Sequence, residues 1–136
     1  MKGNCFIDTN IWVYAHTNTD SSKSASALKL LESLPVLVSS TQVLNEYYSV
    51  MLKNKIADNL IQDNIEVIIE VCSVQIIQIP TLYLAHKLKL KYGFSYWDSL
   101  ILASALEANC QALYSEDMQH GQVIEHSLTI INPYRS

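Results

Sequence analysis

The chain has 136 residues, enough for one domain that buries roughly two-thirds of its unfolded surface. Hydrophobic residues make up 49 % and charged residues 16 %, which excludes a disordered chain and a surface-charged helical rod. A formal net charge of −4 excludes a protein that holds nucleic acid by phosphate neutralisation alone, so any action on RNA or DNA must rest on a local site where bound cations offset acids.

Asn4 to Asp8 is a short apolar run ending in an acid, read as the first strand, followed by a turn and a short helical piece over 11–16. Asp8 also interrupts the only apolar stretch near the start, too early for a secretory core. The polar run 17–24 reads as a loop. Ala25, Leu28 and Leu31, with Ala27, Leu30 and Leu34, then follow helical spacing until Pro35 stops the helix. Residues 36–39 form a continuous apolar strand, as expected when both faces are covered. Thr41 reads as the cap of a helix running to about Lys53, with Leu44, Tyr47, Tyr48, Met51 and Leu52 on one side. The next helix starts near Ala57 and presents Ile61, Ile65, Ile68 and Cys72 at core spacing, and residues 74–79 read as a third strand stopped by Pro80. A helix over 81–92 closes at Gly93.

The helix that follows Ser95 is apolar or small at nearly every position from Tyr96 to Ala108, which describes a helix surrounded by other elements. Asn109 ends it, and residues 112–115 form a fourth strand leading into Glu116-Asp117. Gly121 marks a turn and 128–131 a short final strand. Strands alternating with helices, without hairpin signals, predict an α/β fold of three layers, α/β/α, around a central, mainly parallel sheet. The absence of repeats or linkers predicts one domain over residues 1–136. No apolar run reaches membrane-spanning length. Cys5, Cys72 and Cys110 are far apart in apolar strings and read as buried thiols in a reducing compartment, so a cytoplasmic protein is the expectation.

Four acids occur at equivalent points of this plan. Asp8 ends the first strand, Glu46 lies early in the helix after the second, Asp98 starts the central helix and Asp117 follows the fourth strand. In an open parallel sheet, ligands bind beyond the carboxyl ends of the strands, where all four can converge. Each has a simpler reading. Asp8 can open an Asx turn, Glu46 can be a solvated helix acid opposite the apolar stripe, Asp98 can complete a capping arrangement with Ser95, and Asp117 can be a loop residue. Taken together, carboxylates about 4 Å apart repel by roughly 4 kcal/mol at an effective dielectric near 20. Such a cluster shares protons or binds a cation, and an all-oxygen donor set favours Mg²⁺ or Mn²⁺ over Zn²⁺.

The runs Phe6-Ile-Asp8-Thr-Asn10, Asn45-Glu46, Tyr96-Trp-Asp98-Ser-Leu-Ile-Leu-Ala-Ser-Ala and Leu113-Tyr-Ser115-Glu-Asp117 resemble the four signatures of the PIN domain. Their order and spacing are similar to those of its small bacterial and archaeal members, the VapC-type toxins. The resemblance implies a metal-dependent ribonuclease with Asp8, Glu46, Asp98 and Asp117 as its acids, and with Thr9, Asn10 and Ser115 orienting them by hydrogen bonds. It also implies an RNA substrate, a small antitoxin partner and a homodimer. After Asp117 many relatives carry a further acid and then an aromatic, where this chain has Gln119 and His120; a fifth carboxylate is not carried over.

On this reading one or two Mg²⁺ or Mn²⁺ ions sit between Asp8, Asp98 and Asp117, with Glu46 binding directly or through water. In-line attack of water on a phosphodiester would leave a 5′-phosphate and a 3′-hydroxyl. Substrate contacts are open: Lys87 with Lys91, and Lys53 with Lys55, either touch phosphates or solubilise the surface. Trp12, Tyr14, Tyr47 and Tyr48 either stack on bases or pack in the core or a dimer interface. His120 either assists a leaving group or is a surface histidine. The competing reading is a catalytically silent PIN-fold module that binds RNA or a protein. A phosphoryl-transfer protein of the receiver or phosphatase kind fits less well, because no second Asp follows Asp8 two residues later and no lysine follows a late strand.

Overall fold

The computed structural model describes residues 3–135. Among them the elements run β1 (Asn4–Ile7), α1 (Thr9–His16), α2 (Ser21–Ser33), β2 (Val36–Ser40), α3 (Thr41–Lys53), α4 (Asp58–Val71), β3 (Cys72–Gln75), α5 (Ile79–Tyr92), α6 (Tyr96–Glu107), β4 (Cys110–Tyr114), β5 (Val123–Ile124) and β6 (Leu128–Ile131). The strands form one sheet in the order β3-β2-β1-β4-β6-β5, parallel except for β5. This is the expected α/β/α architecture.

The order places the site. From β1 the chain winds outward to β2 and β3, then crosses back to lay β4 on the other side of β1. The crevice at such a reversal, outside the carboxyl ends of the strands, is where α/β sheets bind ligands. Asp8 and Ser115 each come directly after one of the two strands that flank it.

β1 and β4 are buried on both faces apart from Asn4, which is half-buried, and Gln111, which is exposed. Cys5, Phe6, Ile7, Ala112 and Leu113 have no exposed surface, which explains the apolar runs that end these two strands. On α6, Ser99 to Ala105 are all buried, so this helix is surrounded as its composition predicted. Helix α5 packs along α6, while α1 packs on α2 and α3, and α3 on α4. Cys5 and Cys110 are buried and Cys72 half-buried, all as free thiols. Among the described residues no helix is long and apolar enough to cross a membrane.

Several boundaries differ from the sequence reading. Helix α1 starts at Thr9 rather than Ile11, because the Asp8 carboxylate accepts the Thr9 amide and caps it. Helix α2 starts at Ser21 rather than Ala25, because Asp20 caps it through the Lys23 amide at 3.1 Å, so half of the expected loop is helical. Ser40, not Thr41, caps α3 by accepting from the Val43 amide; the Thr41 hydroxyl instead accepts from the Ile77 amide at 3.2 Å. The third strand is Cys72–Gln75 rather than 74–79, and Pro80 opens α5 instead of stopping the strand, since its missing N–H is harmless in a first helical turn. Finally, β5 and β6 form a hairpin that carried no Gly or Asn signal. Its turn puts Glu125 and His126 at φ of +50° and +61°.

Candidate active site

Each side chain of the site is placed by an element end. Asp8 follows β1 and is 7 % exposed. Its Oδ1 accepts the Thr9 amide at 2.7 Å and its Oδ2 accepts the Ser115 hydroxyl at 2.7 Å. Thr9 also reaches across to α3, donating from its hydroxyl to Glu46 Oε1 at 2.9 Å. The other Glu46 oxygen accepts from the Gln42 amide one turn earlier at 3.1 Å. Asn10 donates to Asp117 Oδ2 at 3.1 Å and accepts the Glu116 amide at 3.2 Å. The Ser115 hydroxyl, besides binding Asp8, accepts the Asp117 amide at 3.3 Å. Asp98 lies in the first turn of α6, where its amide donates to Ser95 Oγ at 3.1 Å. The capping role and the place in the cleft coexist.

Asp8, Glu46, Asp98 and Asp117 thus line one open cleft of about 560 Å³, together with Thr9, Asn10, Val13, Tyr14, Ser49, Val50, Ile101 and Glu116. Glu46 is half-buried and tied down rather than a free surface acid, which periodicity on its own helix did not reveal. Burial, then the charges of Glu46 and Asp98, push the Asp8 carboxyl up to about 6 against the opposing hydrogen bonds from Ser115 and Thr9. Asp98 is also raised, first by burial and then by Asp117, with Glu46 adding less. The acids therefore sense one another, the condition under which a carboxylate cluster either shares protons or binds a cation.

The donor set fits a hard divalent ion. Every side-chain ligand offered by these acids is oxygen, and each Asp8 and Glu46 oxygen that accepts one hydrogen bond keeps a second lone pair. Among the described residues no three His, Cys, Asp or Glu side chains already stand at the spacing of a metal-binding cluster. The arrangement suits Mg²⁺ or Mn²⁺ held by one or two direct carboxylates with water completing the shell, not a closed protein cage.

Other expectations change. Trp12 and Tyr47 are buried in the core, and Tyr14 and Tyr48 are half-buried, so packing accounts for these four. Tyr14 alone of them lines the cleft, with its hydroxyl on Glu116 at 2.7 Å. Lys53, Lys55, Lys87 and Lys91 do not line it, and Lys91 pairs with Glu125 at 2.6 Å. His120 lies outside the lining, where its Nδ1 accepts the Asn132 amide at 3.0 Å. The sequence reading missed Glu116, whose carboxylate takes Lys23 and Tyr14 as partners. Its alternation with Ser115 and Asp117 just after a strand was the available signal.

The acidic cleft lies at the strand-order reversal of a mainly parallel sheet, the place where open α/β domains take their ligands. The chain belongs to the PIN domain family, whose model matches residues 5–124. Sequence comparison with curated proteins finds no match. Among solved structures, a toxin–antitoxin complex from Klebsiella pneumoniae matches with a TM-score of 0.71 and 20 % identity over 97 % of this chain and 99 % of that one. VapC20 of Mycobacterium tuberculosis, described as a sarcin–ricin loop cleaving toxin, matches at 0.68 and 19 % identity over 80 % of this chain and 86 % of its own. VapBC2 of Rickettsia felis, bound to a fragment of promoter DNA, matches at 0.67 and 16 % identity over 96 % and 100 %. At these identities the likeness shows a common fold.

Proposed function

We propose that this PIN domain is a Mg²⁺- or Mn²⁺-dependent endoribonuclease and the toxin of a VapBC-type pair. The observation that carries the reading is the convergence of Asp8, Glu46, Asp98 and Asp117 on one cleft at the β1/β4 reversal. Asp8 and Asp98 would hold the cation, with Asp117 and Glu46 contributing directly or through water. Once bound, the ion supplies charge neutralisation at a phosphodiester and lowers the pKa of water. The chain itself supplies orientation. Thr9 and Ser115 fix both Asp8 oxygens, Asn10 holds Asp117, and Thr9 with Gln42 holds Glu46. Val13, Val50 and Ile101 give the cleft an apolar wall against which a ribose or base can lie.

The toxin reading draws support from the fold's likeness to the Klebsiella pneumoniae toxin–antitoxin complex and to VapC20. A small antitoxin and a second copy of the chain belong to the same reading. Exposed Ile76, Ile79, Tyr83 and Trp97 supply apolar surface for a protein partner. A silent binding module is the second reading, favoured by the exposed apolar side chains of Ile76, Ile79, Tyr83 and Trp97, which offer a surface to a protein.

RNA cleavage with Mg²⁺ or Mn²⁺ by the wild type beside Asp98→Asn distinguishes the two. The nuclease reading expects cleavage by the wild type and near-complete loss in the variant. Wild-type protein that binds RNA yet never cuts it would leave the binding module.

A further inference from the structure

Gln42 lies on α3 one turn before Glu46 and is 8 % exposed. Its amide nitrogen donates twice, to Glu46 Oε2 at 3.1 Å and to the Trp97 carbonyl at 3.1 Å. Trp97 immediately precedes Asp98 in the first turn of α6. One side chain therefore bridges the helix that carries the second acid to the turn that carries the third. The orientation is dictated, because both acceptors need N–H and the amide has two. Turning the amide over would set its carbonyl against a carboxylate and another carbonyl. The remaining Gln42 oxygen is buried without a partner among the described residues. A buried acceptor left unmade is an unfavourable choice for a side chain whose role is only to fill the core. With Thr9 on Oε1 and Gln42 on Oε2, both Glu46 oxygens are held from different elements.

We infer that Gln42 is a positioning residue, whose bridge between Glu46 and the Trp97 carbonyl sets the second acid toward Asp98 at the cation site. The role rests on the reading of Glu46 as a cation-facing acid. Partners that orient a metal ligand from behind typically change affinity 10–100-fold when removed.

The test is calorimetric Mn²⁺ binding to Gln42→Met, which keeps the volume but removes both donors, and to Gln42→Asn, which keeps the amide but shortens its reach. Each is also made in a Glu46→Gln background, and thermal melts establish folding. Both single variants are expected to bind Mn²⁺ about tenfold more weakly than wild type. In the Glu46→Gln background the same changes are expected to lower affinity less than about twofold, because the residue they act through is already altered. Folded variants with wild-type Mn²⁺ affinity, or an equal loss in both backgrounds, would overturn the role while leaving the nuclease reading intact. Wild-type protein that neither binds Mn²⁺ nor cuts RNA would overturn both.

Discussion

The Ser115 hydroxyl donates to Asp8 Oδ2 at 2.7 Å, joining the residue after β4 to the residue after β1. The same oxygen accepts the Asp117 amide at 3.3 Å, so one side chain sets the relation of two acids. Replacing Ser115 with Ala leaves Asp8 short of a donor and the Asp117 amide short of an acceptor. A hydrogen bond to an ionised group contributes about 1.5–3 kcal/mol, so the variant should lose about 2 kcal/mol at pH 8, where Asp8 is charged, and less at pH 4. Urea unfolding at the two pH values measures this. An equal loss at both would contradict a charge-assisted bond.

Asp8 predicts a pH dependence of stability. Its folded carboxyl stands at about 6 against an ordinary 3.8. A raised pKa means the folded state favours the protonated acid. The associated stability is complete below about pH 4 and lost as pH rises through about 6. The rise from 3.8 to about 6 corresponds to about 3 kcal/mol. Asp98 is shifted the same way and adds to the trend. His16 acts oppositely: burial lowers its pKa, so its contribution is present above about 6.5 and lost on acidification below that. Comparing wild type with Asp8→Asn isolates the Asp8 part. In chelator, the wild type should lose stability between pH 4 and 6 relative to the variant. Parallel curves would remove the basis for the raised carboxyl.

A cation should reverse that penalty. At a Mn²⁺ concentration about 100 times its dissociation constant, binding to the folded state alone adds about 2.7 kcal/mol, or roughly 10 °C in Tm for a domain of this size. The shift should fall sharply in Asp98→Asn and vanish with EDTA. Differential scanning calorimetry reads it directly, and equal shifts in both proteins would place the ion elsewhere.

Gly93 offers a prediction about the frame rather than the site. It ends α5 at φ +79°, its amide donating to the Lys89 carbonyl at 2.9 Å, and an added Cβ would meet nothing within 4 Å. The cost of Gly93→Ala is therefore conformational alone, about 1 kcal/mol. The urea midpoint should drop accordingly, with kcat unchanged because the Ser95 cap still starts α6 in place. A loss of activity larger than the loss of stability would show that this turn also aligns Asp98.

What was readable in the sequence was what local spacing encodes. Apolar runs marked β1, β2 and β4, helical spacing marked α2, α3 and α4, and all-round apolar composition marked α6. Acids immediately after strands marked the edge of the sheet where they would gather. Helix starts shifted where a neighbouring side chain capped earlier than spacing suggested, as Asp8 and Asp20 do, and the hairpin was missed where a distant contact overrode local preference. Glu125 and His126 adopt positive φ without Gly or Asn because α5 holds the turn: the Glu125 amide donates to the Tyr92 hydroxyl at 3.0 Å, and its carboxylate takes Lys91 at 2.6 Å. For Trp12 and Tyr47 the sequence left stacking on bases and packing in the core both open, and helix packing encloses them.

The amino-acid order by itself determined the α/β alternation and the chemical type of the site, because strand, cap and carboxylate chemistry act within a few residues. Only the tertiary structure decided that Glu46, set opposite its own helix's apolar stripe, meets Thr9 and Gln42, and that Glu116 joins Lys23 instead of standing free. The Gln42 contact is one helical turn along α3, but the meetings with Thr9 and Lys23 depend on strand order and helix packing, which bring together residues far apart in the chain, and no spacing along a single helix carries that distance.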